Sequence, residues 1–276
     1  MPSIYQVDAF TDRPFAGNPA AVCLLDASKG HAELTDAWLQ QVAAEMNLSE
    51  TAFVHRAEGG FNLRWMTPTV EVDLCGHATL AAAHILWDRG HVASAESISF
   101  FTRSGTLVAN RREEMIELDF PQRPATACPP PELLLSALMV DAGDVGFAGR
   151  NEFDWLVAVS DAEVVRALSP DFQKLAQVDV RGVIVTAADN SGEFDFISRF
   201  FAPAAGIDED PVTGSAHVCL GPYWQRRLGK NPLRGYQAST RGGVVGVCLT
   251  GDRTLLSGNA VMSGNAVTVL EGKLMC

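Results

Sequence analysis

Glu50, Cys75, His77, Asp210 and Ser215 are the side chains of this 276-residue chain whose types and settings fit proton-transfer chemistry. Glu50 closes Asn47-Leu48-Ser49-Glu50 and precedes the apolar Thr51-Ala52-Phe53-Val54. A carboxylate at the mouth of a buried strand loses water, which raises its pKa toward that of a useful base. The same spacing also allows Glu50 to point to solvent. His77 opens an Ala- and Leu-rich run and reads in three ways: a hydrogen-bonded core histidine, a general acid, or a metal ligand together with His84. The metal reading needs third and fourth ligands that no tight cluster supplies, so no metal is expected. Cys75 stands before a glycine turn, where a thiol could act as one base of a two-base racemase. The corresponding residue before Gly214 is Thr213, which has no comparable basicity, so a packing role is favoured for Cys75. His217 reads as a buried, hydrogen-bonded side chain.

These residues sit on an internal echo. Arg64-Trp65-Met66-Thr67-Pro68 is matched by Arg199-Phe200-Phe201-Ala202-Pro203, and Gly76-His77-Ala78 by Gly214-Ser215-Ala216. In each copy an apolar run ends at a proline and crosses an acidic loop, holding Glu71 and Asp73 or Asp208-Glu209-Asp210. It then reaches a small-residue turn that opens a helix. Glycine lets backbone approach a ligand, and the unpaired N–H groups of a helix start attract carboxylate or phosphate. Gly76, Gly214 and Ser215 are therefore expected to receive an anionic small molecule. Ordinary helix capping explains either turn taken alone, and a duplicated fold would repeat its caps too.

The elements that must position these groups follow from periodicity. Residues 5–10 and 20–25 read as strands. Thr35 is the predicted N-cap of a helix ending near Asn47, with Leu34 and Leu39 as its hydrophobic staple and Trp38, Val42 and Met46 on its apolar face. Residues 51–54 are extended, and Phe61, Leu63 and Trp65 alternate with polar residues as in a strand with one buried face. The helix over 77–87 is apolar nearly all round and must be enclosed, as by a curved sheet. Strands are expected near 105–110 and 115–120. Residues 121–131, PQRPATACPPP, resist helix and sheet and read as a linker. Beyond them 133–139 is helical, 153–159, 182–186 and 194–201 are extended, and 215–227 is a second mostly apolar helix with Val218, Tyr223 and Trp224 in its core. Glycine-punctuated strands follow near 244–249 and 267–270, and the echoes at 258–261 and 264–267 read as turn-plus-strand units.

The bulk composition bounds the function. With 47% apolar and 20% charged residues, the chain is that of a globular protein long enough for two domains. Its net charge of −12 disfavours nucleic acid and anionic membranes as partners. Neither a membrane span nor a secretory leader is indicated. Six cysteines without a CxxC pair read as free thiols in a reducing cytoplasm. No GxGxxG or GxxxxGK[ST] loop supports nucleotide binding.

Four stretches resemble the PhzF-like phenazine-biosynthesis protein family, which has the diaminopimelate epimerase fold: DAFTDRPFAGNPAAVCLL at 8–25, MNLSETAFV at 46–54, DLCGHATLAAAH at 73–84 and GIDEDPVTGSAH at 206–217. The resemblance runs over essentially the full chain. It implies an α+β fold of two similar lobes, each a strongly curved sheet wrapped around a central helix. The lobes are expected at 1–125 and 126–276, with the C-terminal strand returning to the first and the active site in the cleft. The namesake enzyme isomerises trans-2,3-dihydro-3-hydroxyanthranilate without cofactor or metal. The resemblance thus implies a cofactor-independent isomerase acting on a small carboxylated metabolite and is compatible with a homodimer, while the cytoplasmic expectation rests on the free cysteines. Glu50 matches the family's acid/base glutamate, and His77 and Asp210 match polar residues around the substrate. Ser215 matches a serine of the same pocket and Asn18 the asparagine of the GNP turn, while the backbone of Gly76 and Gly214 would stabilise developing charge. Cys75-Gly76 also resembles the first cysteine motif of diaminopimelate epimerase, but Thr213 departs from the second. A non-catalytic protein-interaction module on the same fold is the alternative of another class.

Overall fold

The computed structural model describes residues 1–25, 35–112, 115–259 and 267–275. The chain forms two compact units, Met1–Asp119 with Ser257–Cys276 and Phe120–Leu256. In chain order the elements are β1 (Ser3–Ala9), β2 (Asn18–Leu25), α1 (Asp36–Met46), β3 (Thr51–Ala57), β4 (Gly60–Met66), β5 (Glu71–Val72), α2 (Gly76–Asp88), β6 (Ile98–Thr102), β7 (Gly105–Arg112) and β8 (Met115–Pro121). They continue with β9 (Thr126–Ala127), α3 (Glu132–Leu138), β10 (Val145–Arg150), β11 (Asp154–Val159), α4 (Ala162–Ala167), α5 (Phe172–Leu175), β12 (Gly182–Ala188), β13 (Phe196–Phe201), α6 (Gly214–Leu228), β14 (Leu233–Gln237), β15 (Gly243–Thr250), β16 (Arg253–Asn259) and β17 (Thr268–Lys273).

The two units repeat one pairing scheme. In the first, β17 pairs antiparallel with β1 and β1 with β2; β2 then runs parallel to β3, β3 antiparallel to β4, β4 parallel to β6, and β6 antiparallel to β7. In the second, the same alternation links β9, β10, β11, β12, β13, β14 and β15. The position that β9 fills in the second unit is filled in the first by β17, the C-terminal strand. The sequence echo has a matching clamp in each copy. Arg64 on β4 donates two hydrogen bonds of 2.7 Å to Glu71, and Arg199 on β13 donates to Glu209 at 2.7 and 2.8 Å. Bidentate pairing of this kind fixes the loop that leads to each helix start.

Helix α2 is enclosed. Every residue from His77 to Trp87 is buried, and the helix packs on β1, β2 and β3. Its all-round apolar sequence is satisfied only by such a setting. Helix α6 packs on β14 and β15 and buries nine residues, among them His217, Cys219 and Trp224. Trp224 stacks on Phe196 at 5.8 Å and donates its indole N–H to Thr186. Helix α1 begins as the sequence predicts: Thr35 Oγ1 accepts from Trp38 N at 3.2 Å, and Asn47 closes the helix in the left-handed region. The Leu34 half of the predicted staple, and most of the echo at 258–267, lie outside the described residues.

The proline-rich stretch 121–131 is part of the second unit. Its proline-free Thr126–Ala127 pairs with β10, and Cys128 N donates to Ala148 O. Strands β6, β10 and β14 and helices α4 and α5 were not predicted from periodicity, because runs of four to six residues carry too few repeats to show one. Among the described residues no helix is long and apolar enough to cross a membrane.

Candidate active site

The first unit brings Asn18, Glu50, Cys75 and His77 together from three elements. Strands β2 and β3 are parallel with Ala21 opposite Thr51, so the residue before β3, Glu50, lies beside the start of β2. Glu50 O accepts from Ala21 N at 3.2 Å, which extends the ladder to this point. Helix α2 packs on β2 and delivers its first turn to the same edge. The Glu50 side chain keeps only 15% exposure, so the solvent-pointing alternative is not the one adopted.

His77 stands at the centre of this group. Its Nε2 lies 3.2 Å from Glu50 Oε2, close but off hydrogen-bond alignment. Its Nδ1 lies 3.3 Å from Asn18 Nδ2 and 3.5 Å from Cys75 Sγ. Burial drives its pKa down to about 3, so the imidazole is neutral at neutral pH. Loss of water is the cause, and the ring meets the Glu50 side chain in its neutral form. Sequence spacing gave no tight ligand cluster, yet Glu50, Cys75 and His77 offer ligand-type atoms within 4.8 Å of one another. Glu50 Oε2 lies nearer Nε2 of the ring and Cys75 Sγ nearer Nδ1. The three together are one ligand short of the four of a closed zinc site.

The second unit builds a different site on the equivalent turn. Asp210 is buried and accepts from Thr213 Oγ1 at 2.5 Å. Gln237, fully buried on β14, accepts from Thr213 N at 2.9 Å and donates to Asp210 O at 2.7 Å, locking the turn before α6. Ser215 Oγ lies 3.0 Å from Arg181 Nη2, and Arg181 forms a fork with the buried Asp154 at 2.9 and 2.5 Å. Burial raises the Asp154 pKa, while the hydrogen bonds and charge of Arg181 lower it. His217 donates from Nδ1 to Thr213 O at 2.8 Å, since a carbonyl only accepts, and burial holds its pKa down to about 4. It is a buried, hydrogen-bonded side chain, as the sequence indicates.

The structure thus groups Asn18, Glu50, Gly76 and His77 in one unit, and Asp210, Gly214 and Ser215 in the other. The acidic loops divide between two jobs. Glu71 and Glu209 are held by arginines, whereas Asp73 and Asp208 are exposed. Gln237, Arg181 and Asp154 were not found from the sequence. Each reaches its partner from at least 24 residues away, and only strand register makes the contact. Hollows on the surface of the second unit, lined by Phe153 and Arg181 or by Phe147, Tyr223, Arg226 and Arg227, include neither Asp210 nor Ser215.

The chain matches the model of the phenazine biosynthesis-like protein family over residues 7–272. It is 51% identical over 273 residues to an uncharacterised isomerase of Halalkalibacterium halodurans, covering 99% of this chain and 98% of that one. It is 40% identical to the phenazine biosynthesis-like domain-containing protein 2 of Mus musculus, covering 98% of each. Among solved structures, a PhzF-family phenazine biosynthesis protein of Enterococcus faecalis superposes with a TM-score of 0.90 at 38% identity, covering 100% of this chain and 99% of that one. A protein of Agrobacterium radiobacter described as a probable proline racemase, at 10% identity, a TM-score of 0.63 and 99% and 93% coverage, shares the fold.

Proposed function

Since the chain belongs to the phenazine biosynthesis-like family, we propose that it is a cofactor-independent isomerase that moves a proton between carbons of a small carboxylated substrate. Glu50 is the acid/base in this reading. The observation that carries it is the enclosure of the Glu50 carboxylate beside a neutral His77 at the start of a fully buried helix. The name of the Halalkalibacterium relative as an isomerase supports the same class of chemistry.

The reaction needs few parts. Glu50 takes a proton from one carbon, the electrons of the broken C–H bond enter the substrate's π system, and Glu50, its acidic proton exchanging with solvent, delivers a proton to a second carbon. Gly76 and Gly214 each open a helix of their own unit, and in this proposal their backbone N–H groups stabilise negative charge as it develops. Asp210 and Ser215 are proposed as groups that hold the substrate's amino, hydroxyl or carboxylate functions. Asp210 arrives buried and already accepting from Thr213, so it is preorganised as an acceptor.

Paired-thiol epimerisation is disfavoured by the second unit. At the position equivalent to Cys75, the Thr213 hydroxyl is committed to Asp210. The buried Cys219 thiol is pushed up to about 12 by desolvation, far from a usable base. A metabolite mixture incubated with the protein in deuterated water tests the proposal. A compound that gains carbon-bound deuterium with wild-type protein, and not with Glu50→Gln, is the expected result. Turnover in Glu50→Gln equal to wild type, or no deuterium uptake by any metabolite together with stable capture of a protein partner, would remove the acid/base assignment.

A further inference from the structure

Three contacts around His77 bear on which of its nitrogens carries the proton. A neutral imidazole has one N–H and one lone pair. Nε2 faces the Glu50 carboxylate, which accepts when ionised, and Nδ1 faces both the Asn18 side-chain amide at 3.3 Å and the Cys75 thiol at 3.5 Å. A proton on Nδ1 would set two donors against each other at Asn18 Nδ2 and leave a lone pair against the carboxylate. A proton on Nε2 suits the contacts better: the amide N–H donates to the Nδ1 lone pair, the thiol stands near the same nitrogen, and Nε2–H lies beside the Glu50 carboxylate at 3.2 Å, an attraction without hydrogen-bond alignment.

We propose that Asn18 is a positioning residue, whose amide N–H holds the Nδ1 lone pair of His77 and so keeps the ring proton on Nε2, toward Glu50. Gly17 is what brings Asn18 to this place. Its backbone is left-handed at φ +64°, and a Cβ there would stand 2.1 Å from Ala9 O. The assignment also limits what His77 can do. Its Nε2 already bears a proton and its Nδ1 is engaged, so it has no site to accept the proton held by Glu50. His77 therefore faces the carboxylate as a neutral N–H group and does not act as a second base. That consequence rests on the acid/base reading of Glu50, whereas the tautomer itself does not.

Nitrogen NMR of the full-length protein labelled with 15N-histidine reads the tautomer directly and needs no substrate. His217 supplies an internal reference of the opposite kind, because its Nδ1–H donates to Thr213 O. The wild-type spectrum should show His77, assigned by its loss in His77→Gln, with a bare Nδ1 and a protonated Nε2. Glu50→Gln should keep that pattern, since Asn18 remains. Asn18→Asp replaces the donor by an acceptor and should move the Nδ1 resonance to the protonated position. A protonated Nδ1 in the wild-type protein overturns the proposal even if no Asn18 variant folds, as does an Nδ1 that stays bare in Asn18→Asp. If the tautomer is as assigned while Glu50→Gln retains deuterium exchange, the acid/base reading fails and the role of Asn18 in setting the ring stands.

Discussion

At the scale of single residues, the two helix-start sites differ in how charge is managed. Glu50 stands beside a neutral ring, whose other nitrogen meets an amide and a thiol. Around Ser215 a buried carboxylate, Asp154, is balanced by Arg181, whose other contact orients the serine. With its oxygen accepting from Arg181, the Ser215 hydroxyl keeps its own proton available to donate. Arg181→Met leaves Asp154 buried and unpaired and should cost about 3 kcal/mol in urea unfolding at neutral pH, the lower end for a broken buried pair because the arginine is partly exposed. Burial already raises the Asp154 pKa and Arg181 opposes that rise. Without the arginine, protonation of the folded state becomes easier, so the deficit should shrink as pH falls. A deficit that is flat with pH would show that Asp154 is not the source. The candidate residues Glu50, His77, Asp210 and Ser215 were legible because each lies in a distinctive local stretch. The contacts that tune them were not. Asn18 meets His77 across 59 residues and Arg181 meets Ser215 across 34, and nothing in the intervening sequence marks either pair.

At the scale of elements, the site depends on strand register and on one turn. Helices α2 and α6 could be read from the sequence because an apolar run too long for a strand and lacking a polar face has few other places to go. Strands as short as β14 could not, since Gly235 and Arg234 break the pattern of a five-residue run. The glycine turn before β2 links element to chemistry. Gly17→Ala meets both a left-handed backbone and the Ala9 carbonyl oxygen, whereas Gly59→Ala, also left-handed at φ +77°, meets nothing within 4 Å. Gly59→Ala should therefore cost about 1 kcal/mol in urea unfolding. Gly17→Ala should cost roughly 2 kcal/mol more, as expected for overpacking against fixed backbone. It should also shift the His77 ring resonances by displacing Asn18. Equal costs for the two variants would mean that the turn at Gly17 yields without moving β2.

At the scale of the whole molecule, duplication repeats the pairing of strands and the arginine clamps while leaving the chemistry unequal. The repeat was legible in the sequence, but its completion by β17 depends on a strand at the far end of the chain pairing with β1. Both units also bury neutral histidine. His84 and His217 have pKa values held down to about 4 by burial, against 6.5 for the free side chain. Above pH 6.5 neither the folded nor the unfolded chain protonates them. As pH falls from 6.5 toward 4 the unfolded chain takes up protons that the folded chain refuses, so stability falls by about 1.4 kcal/mol per pH unit for each. In urea titrations between pH 6 and 5, His217→Gln should remove its share of that slope, and an unchanged slope would contradict its burial in the neutral form. The central claim concerns Glu50, and it is tested most directly by solvent-deuterium incorporation into a turned-over metabolite, compared among wild type, Glu50→Gln and Cys75→Ala. Incorporation should fall by roughly 10²–10⁴-fold in Glu50→Gln, the usual worth of a general acid/base, and persist in Cys75→Ala. Exchange that survives without the Glu50 carboxylate and is lost with the Cys75 thiol would contradict the account.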